Sequence, residues 1–289
     1  MSAADGIAQA KPVLLTGASG ALGSMLATEL AERGWGLVLT DIRPFPGPLP
    51  LGARFAQVDL CDRAAVLEVA RGCSTIVHFG GVSTERPFEE VLGPNIAGLF
   101  HVYEAARAAK ARVIFASSNH AIGFHERTSV LDADCELRPD TYYGLSKAYG
   151  ELMGRLYWYK HGVESISIRI GSGFPEPKDR RMLSSWLSYA DLARLTVAGL
   201  QAEDVGCELI WGSSNNSRTW WRRDSRERIG WAPQDSADEY SEALGSIVSN
   251  DVVAERYQGG HLCARDYSRP SFPPAHSGDD SMDEGKNRT

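Results

Sequence analysis

The sequence has no apolar run approaching the ~18 residues a membrane helix needs, so no span is expected. Its N-terminus, MSAADGIAQAKP, lacks a basic start and an apolar stretch, which excludes a secretory signal. Positive charge is in deficit. Lys and Arg number 30 against 37 Asp and Glu, for a net charge of −7, which argues against a nucleic-acid partner. Cysteine is sparse and unpaired: Cys61, Cys73, Cys135, Cys207 and Cys263 are odd in number and form no Cys-x-x-Cys. That pattern fits a reduced, cytoplasmic compartment and no zinc or other metal site. All five are expected to act as small buried hydrophobes. No internal repeat occurs beyond an alternation of strand-like and helix-like stretches.

What is present is ordinary globular material, 43% hydrophobic and 23% charged over 289 residues. Val13-Leu14-Leu15 is a short apolar run. It leads into TGASGALG, with Gly17, Gly20 and Gly23 spaced GxxGxxG. Ala21, Leu22, Met25, Leu26 and Leu30 then form a helical face. Glycines between strand and helix suit a dinucleotide pyrophosphate, because the backbone must come close to phosphate there. Residues 35–40 read as a second strand ending in Asp41, 24 residues after Gly17. An acid at that point accepts ribose hydroxyls and repels a 2′-phosphate, favouring NAD over NADP, with Arg43 a mild counterweight.

Residues 55–58 form a third strand, followed by Asp59, placed to reach an adenine amine, and by Asp62 as a helix N-cap. Residues 75–79 form a fourth, ending in the small-residue edge Gly80-Gly81-Val82-Ser83, with His78 a core histidine. A helix over 95–110 and a fifth strand over 112–116 run into Ser117-Ser118-Asn119-His120. That polar cluster lies at a strand's C-terminal end, where sites sit in open α/β sheets. The helix from Tyr143 to about Lys160 carries Tyr143 and Lys147 four apart on one face. A cation beside a phenol favours phenolate, lowering a pKa of about 10 toward working pH. Tyr142, five from Lys147, points elsewhere.

A sixth strand over 163–170 precedes the irregular stretch 173–187. Ser188 and Asp191 form a capping box for a helix through Leu200. A seventh strand lies at 208–211, and a last helix is expected over 236–248. The fold class is therefore α/β, a Rossmann-type doubly wound parallel sheet of about seven strands with a small C-terminal substrate-covering region. Residues 11–267 read as one domain, with 171–187 and 206–267 supplying the cover. Residues 1–10 read as a flexible lead-in and 268–289 as a polar, disordered tail.

The order of these parts resembles the extended short-chain dehydrogenase/reductase superfamily over about residues 12–200. GASGALG, Asn95 in NIAGLFHVYEAA, Ser118 in FASSNHAIG and the Tyr143–Lys147 pair carry the likeness. HFGGVS stands where HxAA is more usual. FASSNH, RIGS followed by EP, RMLSSW, Trp220-Trp221 and YQGG are similar to bacterial uronate dehydrogenases, and this likeness reaches about residue 263.

The resemblance implies NAD-dependent oxidation of D-glucuronate or D-galacturonate at the anomeric carbon to an aldarolactone. It implies Tyr143 as base, Lys147 tuning it and holding the nicotinamide ribose, Ser118 on the reacting oxygen, and Asn95 supporting a water behind the lysine. Cofactor contacts are implied at Gly17, Ser19, Gly20, Ala21, Leu22, Gly23, Asp41, Asp59, Leu60, Phe79, Gly80, Gly81, Tyr143, Lys147 and Ile170. Substrate contacts are implied at Ser83, Ser118, Asn119, His120, Tyr143, Ser172 and Arg181. Arg181 is assigned to the sugar carboxylate, with Arg180 its local rival. Relatives of this type often pair the helices near 95–110 and 143–160, so a homo-oligomer is expected.

Two rival readings share the fold. A nucleotide-sugar epimerase or dehydratase needs room for a nucleoside diphosphate, more than the roughly 90 ordered residues after strand six suggest. A non-catalytic NAD-sensing regulator would commonly have lost the Tyr or the Lys.

Overall fold

A computed structural model describes residues 11–270. The expected lead-in at 1–10, and all of the expected tail except 268–270, lie outside those residues. Seven parallel strands form the main sheet: β1 (Val13–Thr16), β2 (Leu37–Asp41), β3 (Arg54–Gln57), β4 (Thr75–His78), β5 (Arg112–Ser118), β6 (Ser165–Ile170) and, after two short strands, β9 (Cys207–Gly212). Their order is β3-β2-β1-β4-β5-β6-β9. The order reverses between β1 and β4, whose registers pair Val13 with Thr75 and Thr16 with His78. Such a switch point opens a crevice at the carboxyl ends of the strands.

The sheet is buried on both faces, so its strands read as apolar runs with a period of two. Val13 and Leu15 of β1, and Ile114 and Ala116 of β5, face α1 (Ala21–Glu32) and, later in the chain, α7 (Tyr189–Gln201). Leu14, Val113 and Phe115 face α2 (Arg63–Val69), α4 (Gly98–Ala109) and α5 (Tyr142–His161). Local chemistry sets the helix starts. Asp62 accepts a hydrogen bond from the Ala65 N–H, Thr141 from Gly144 and Ser188 from Asp191, each as an N-cap. Asp191 does not return the bond to Ser188. Its carboxylate is held by Ser214, Gln234, Asp235 and Arg194, so only half of the expected capping box exists.

Several boundaries differ from expectation. The helix expected from Asn95 begins earlier, with α3 (Phe88–Val91) and a π-helical stretch, Leu92–Ala97, ahead of α4. The extra residue per turn lets Asn95 face inward. β5 runs on to Ser118, so that serine is the last residue of the strand. The stretch 173–187 contains a two-stranded ribbon, β7 (Ser172–Gly173) with β8 (Trp186–Leu187), and between them α6 (Met182–Ser185). The helix expected over 236–248 is broken into a 3₁₀ turn, Ala237–Tyr240, and one α-turn, α8 (Ser241–Leu244). That segment buries almost nothing beyond Ala237, so no apolar face extends it. The last helices are α9 (Val252–Arg256) and α10 (His261–Ala264). Of the five cysteines, Cys73 and Cys263 are buried; contrary to expectation, Cys135 and Cys207 are half-buried and Cys61 is exposed on the cleft rim. Among the described residues, no helix is long and apolar enough to cross a membrane.

Candidate active site

A cleft of about 700 Å³ runs along the carboxyl ends of the strands across the switch point. At one end it is lined by the glycine turn and the start of α1, and by Asp41, Asp59 and Leu60. Gly17 has φ of 70°, and a Cβ there would lie 2.4 Å from the Phe79 carbonyl carbon. Only glycine fits, and β1 and β4 close together beneath the turn. Asp41 is fixed before any ligand arrives: its carboxylate accepts hydrogen bonds from the Ser19 and Arg43 N–H groups, both at 3.0 Å. Ser19 also donates its hydroxyl to the Arg43 carbonyl, so it braces Asp41 and does not line the cleft. Asp59 lies on the rim and accepts from the Cys61 N–H. Phe79, Gly80, Gly81 and Ile170 complete the wall. A helix start free of side chains, an acid at the far end and a glycine edge between them fit a nicotinamide adenine dinucleotide.

At the other end stand Ser118, Tyr143 and Lys147. On α5, Tyr143 is turned inward, 8% exposed, while Tyr142 packs its ring on Phe88 and is 51% exposed. Lys147 lies 5.5 Å from the Tyr143 ring centroid and 5.0 Å from that of Phe115, and its ammonium donates to the Ala116 carbonyl at 2.7 Å. Burial pushes the Tyr143 phenol up to about 12; a hydrogen bond with Ser118 pulls it back and the Asp140 charge adds to the rise. Burial pushes the Lys147 ammonium down to about 8. The expected depression of the phenol by the lysine is therefore reversed in the protein alone. Both groups sit where desolvation disfavours their charged forms, and that outweighs their attraction.

His120 also lines the cleft, its ring 5.9 Å from that of Tyr143, and Ser83 lies on the opposite lip. Asn119, Ser172 and Arg181 do not line the cleft; they form a cluster of their own beside it. Arg181 donates Nε–H to the Gln258 carbonyl at 2.6 Å and one Nη–H to Ser172 at 3.2 Å. With its amide oriented to suit its neighbours, Asn119 accepts from the other Nη at 2.6 Å and donates toward the Ile170 and Gly171 carbonyls. Asn119 is fully buried and joins Arg181 to Ile170 and Gly171 of the cleft wall. Two of the five guanidinium N–H bonds find no partner among the described residues. No carboxylate among the described residues comes within ion-pair distance of Arg181, and burial lowers its pKa. A half-buried cation without a counter-ion is partly desolvated, and a ligand carboxylate would supply the missing charge. Arg180, the rival, is exposed.

Asn95 is held away from the cleft. Its side-chain oxygen accepts from the Val82 N–H, and its amide donates to the Val82 carbonyl and to Ser146, whose hydroxyl donates to the Tyr143 carbonyl. Both amide N–H bonds are thus engaged by protein. The residue clamps the β4 edge to α5.

Sequence reasoning missed several supports. Glu85 accepts a hydrogen bond from the Tyr143 N–H at 2.9 Å. Gln258, wholly buried, holds Arg181 through its carbonyl while its side chain joins Trp221 to the carbonyls of Glu126 and Ser129. His261 stands near Arg181 and His120; burial first, then those charges, lowers its pKa. Beneath α5 a buried pair, Arg169 bidentate on Glu151, also binds Ser117 and stacks on Trp211, fixing the helix to the sheet. The YQGG string marked Gln258 as part of a motif, but nothing in its spacing announced a partner 77 residues away.

Fold and cleft together define a dinucleotide-dependent oxidoreductase scaffold. The chain belongs to the NAD dependent epimerase/dehydratase family, whose model matches residues 13–222. It is 46% identical over 255 residues to a uronate dehydrogenase of Pseudomonas syringae pv. tomato, covering 87% of this chain and 93% of that protein. It is 42% identical to that of Agrobacterium fabrum, covering 86% and 96%. Among solved structures, a glucuronic acid dehydrogenase from Chromohalobacter salexigens matches with a TM-score of 0.84 at 40% identity, covering 88% and 97%. A tyrosine-to-alanine variant of the Agrobacterium tumefaciens uronate dehydrogenase, complexed with NAD, matches at 0.83 with the same identity and coverage.

Proposed function

We infer that this chain oxidises a hexuronic acid, D-glucuronate or D-galacturonate, at its anomeric carbon to an aldarolactone with NAD. The observation that carries the reading is Arg181, a half-buried guanidinium with no carboxylate within ion-pair distance among the described residues, held beside the Ser118–Tyr143–Lys147 cluster. A sugar carboxylate supplies the missing charge, and a guanidinium binds it as a planar fork. Ser118 hydrogen-bonds the hemiacetal oxygen, and Tyr143 as phenolate takes its proton. Lys147 holds positive charge against the phenolate and reaches toward the cofactor ribose. When bound, NAD supplies the hydride acceptor for the anomeric hydrogen. His120 and Ser83 face the ring hydroxyls, and Asn119 and Ser172 aim Arg181.

The cover over this end comes from 171–187 and 206–267 around the sheet, so 11–267 acts as one unit. We place the reaction in the cytoplasm, consistent with five free cysteines. The active form is a homo-oligomer: Leu145, Leu152, Leu156 and Tyr159 of α5 are 48–83% exposed in one helical stripe, continued by Phe100 of α4. Sedimentation at micromolar concentration tests this, and a monomer would remove that part of the reading.

The decisive assay is NADH absorbance on mixing the protein and NAD with glucuronate, galacturonate or glucose. Turnover of the uronates with little on glucose is expected. Equal rates on glucose would sink the uronate assignment. Conversion of a UDP-sugar without net NADH would favour an epimerase.

A further inference from the structure

Asp140 is a fully buried carboxylate on the segment just before α5, and nothing in the reaction described above uses it. Three parts of the chain meet at it. His120 Nδ1 lies 2.7 Å from Oδ2, the Thr141 hydroxyl donates to Oδ1 at 2.9 Å, and the Cys263 thiol of α10 approaches to 3.6 Å. Three glycines leave room for it: a Cβ on Gly123, Gly259 or Gly144 would lie 1.9, 2.0 and 2.9 Å from its oxygens. A carboxylate so enclosed has one neighbour that reaches the cleft, the His120 ring, 14% exposed. Nε2 of that ring has no partner among the described residues.

An ionised carboxylate only accepts hydrogen bonds, so the Nδ1 facing it carries the proton. The other nitrogen of a neutral ring is then a bare acceptor. We propose that Asp140 is a positioning residue: it locks His120 as the Nδ1–H tautomer, so that Nε2 accepts a hydrogen bond from a hydroxyl of the sugar. The inference rests on the uronate reading and adds what sets the polarity of one substrate contact. A sugar hydroxyl can donate to that nitrogen; a ligand offering only acceptor oxygens there meets a lone pair and is disfavoured. Without Asp140 the ring is free to flip or to change tautomer, and the contact reverses sign. The surrounding glycines permit an amide of the same shape, so Asp140→Asn removes the charge with little change in volume.

The test has two arms on the full-length protein. In the first, the protein labelled with ¹⁵N-histidine is studied by NMR at mildly alkaline pH, and the His120 signals are assigned by their loss in His120→Gln. A proton on Nδ1 and none on Nε2 is expected in the parent, with the pattern changed in Asp140→Asn. A proton on Nε2 in the parent overturns the proposal, even if the variant fails to fold. In the second arm, kcat and KM for glucuronate and galacturonate are measured in Asp140→Asn, His120→Gln and the double variant. Each single change should lower kcat/KM about tenfold, the worth of one hydrogen bond, through the sugar KM with the NAD KM unmoved. The double variant should be no worse than His120→Gln alone. Losses that multiply, or a parallel rise in the NAD KM with a lower melting temperature, show a merely structural carboxylate and overturn it. If the parent oxidises no uronate, the reading under Proposed function fails instead, and the tautomer spectrum alone decides the role of Asp140.

Discussion

The two ends of the cleft are built by different rules. The nucleotide end is made of backbone: a glycine turn, a bare helix start and one acid, Asp41, braced by the N–H groups of Ser19 and Arg43. The substrate end is made of side chains from distant segments, Arg181 on the Gln258 carbonyl and His120 on Asp140. Backbone recognition tolerates change around it, because the N–H groups are present whatever the side chains. Side-chain recognition depends on buried partners, and each partner lost leaves a polar group unsatisfied. The nucleotide end should therefore yield gradually to substitution and the substrate end sharply.

Variants can break or sharpen that contrast. The largest effect is expected at the junction of the two ends. Tyr143→Phe should lower kcat on the order of 10²–10⁴-fold while NAD binding persists, and Tyr142→Phe should do little. Tracking NAD binding by fluorescence beside turnover checks both; a dead Tyr142→Phe would mean the wrong tyrosine has been assigned.

Next comes Arg181→Ala, expected to cost roughly 10–100-fold in kcat/KM for glucuronate and almost nothing for glucose. Arg181→Lys should also be impaired, since an ammonium cannot reproduce the fork. If Arg180→Ala abolishes the preference instead, the anchor lies one residue earlier.

At the nucleotide end, Asp41→Ala should narrow the preference for NAD over NADP by about tenfold, as one charge-repelled contact is relieved. Equal use of both cofactors by the unmodified protein would remove the role given to this acid.

The smallest effect is in the pH profile. The reactive form has Tyr143 ionised and Lys147 charged. With the phenol at about 12 and the ammonium at about 8, the phenolate fraction rises with pH throughout, while above about 8 the ammonium fraction falls in step. kcat/KM should therefore rise about fivefold from pH 7 to 8 and flatten above. A profile that instead declines through this range would contradict these environments.

Legibility in the sequence followed the same division. The glycine turn, Asp41 and the Tyr143–Lys147 pair were readable because each is a short-range pattern: strand, turn, helix, or two residues four apart. The parallel sheet followed from the βα alternation, since parallel strands need crossovers. The inward turn of Tyr143 over Tyr142 followed from helical geometry alone. The bonds of Asn95 to Val82 were not legible, because the π-helical stretch that carries it leaves no periodic trace.

Thus the chain's local order determined the Rossmann-type scaffold and its cofactor, and singled out the Tyr143–Lys147 pair. Only the tertiary structure decided the rest. The phenol's shift, opposite in sign to the expected one, comes from burial, which no spacing reveals. That Arg181, and not Arg180, meets Ser172, Asn119 and the Gln258 carbonyl is likewise a matter of tertiary contact. Gln258 and His261 enter the site because the chain after β9 folds back over the substrate end, where it meets Asp140 from the segment before α5. Desolvation and hydrogen bonding act through space, between groups that the sequence keeps far apart.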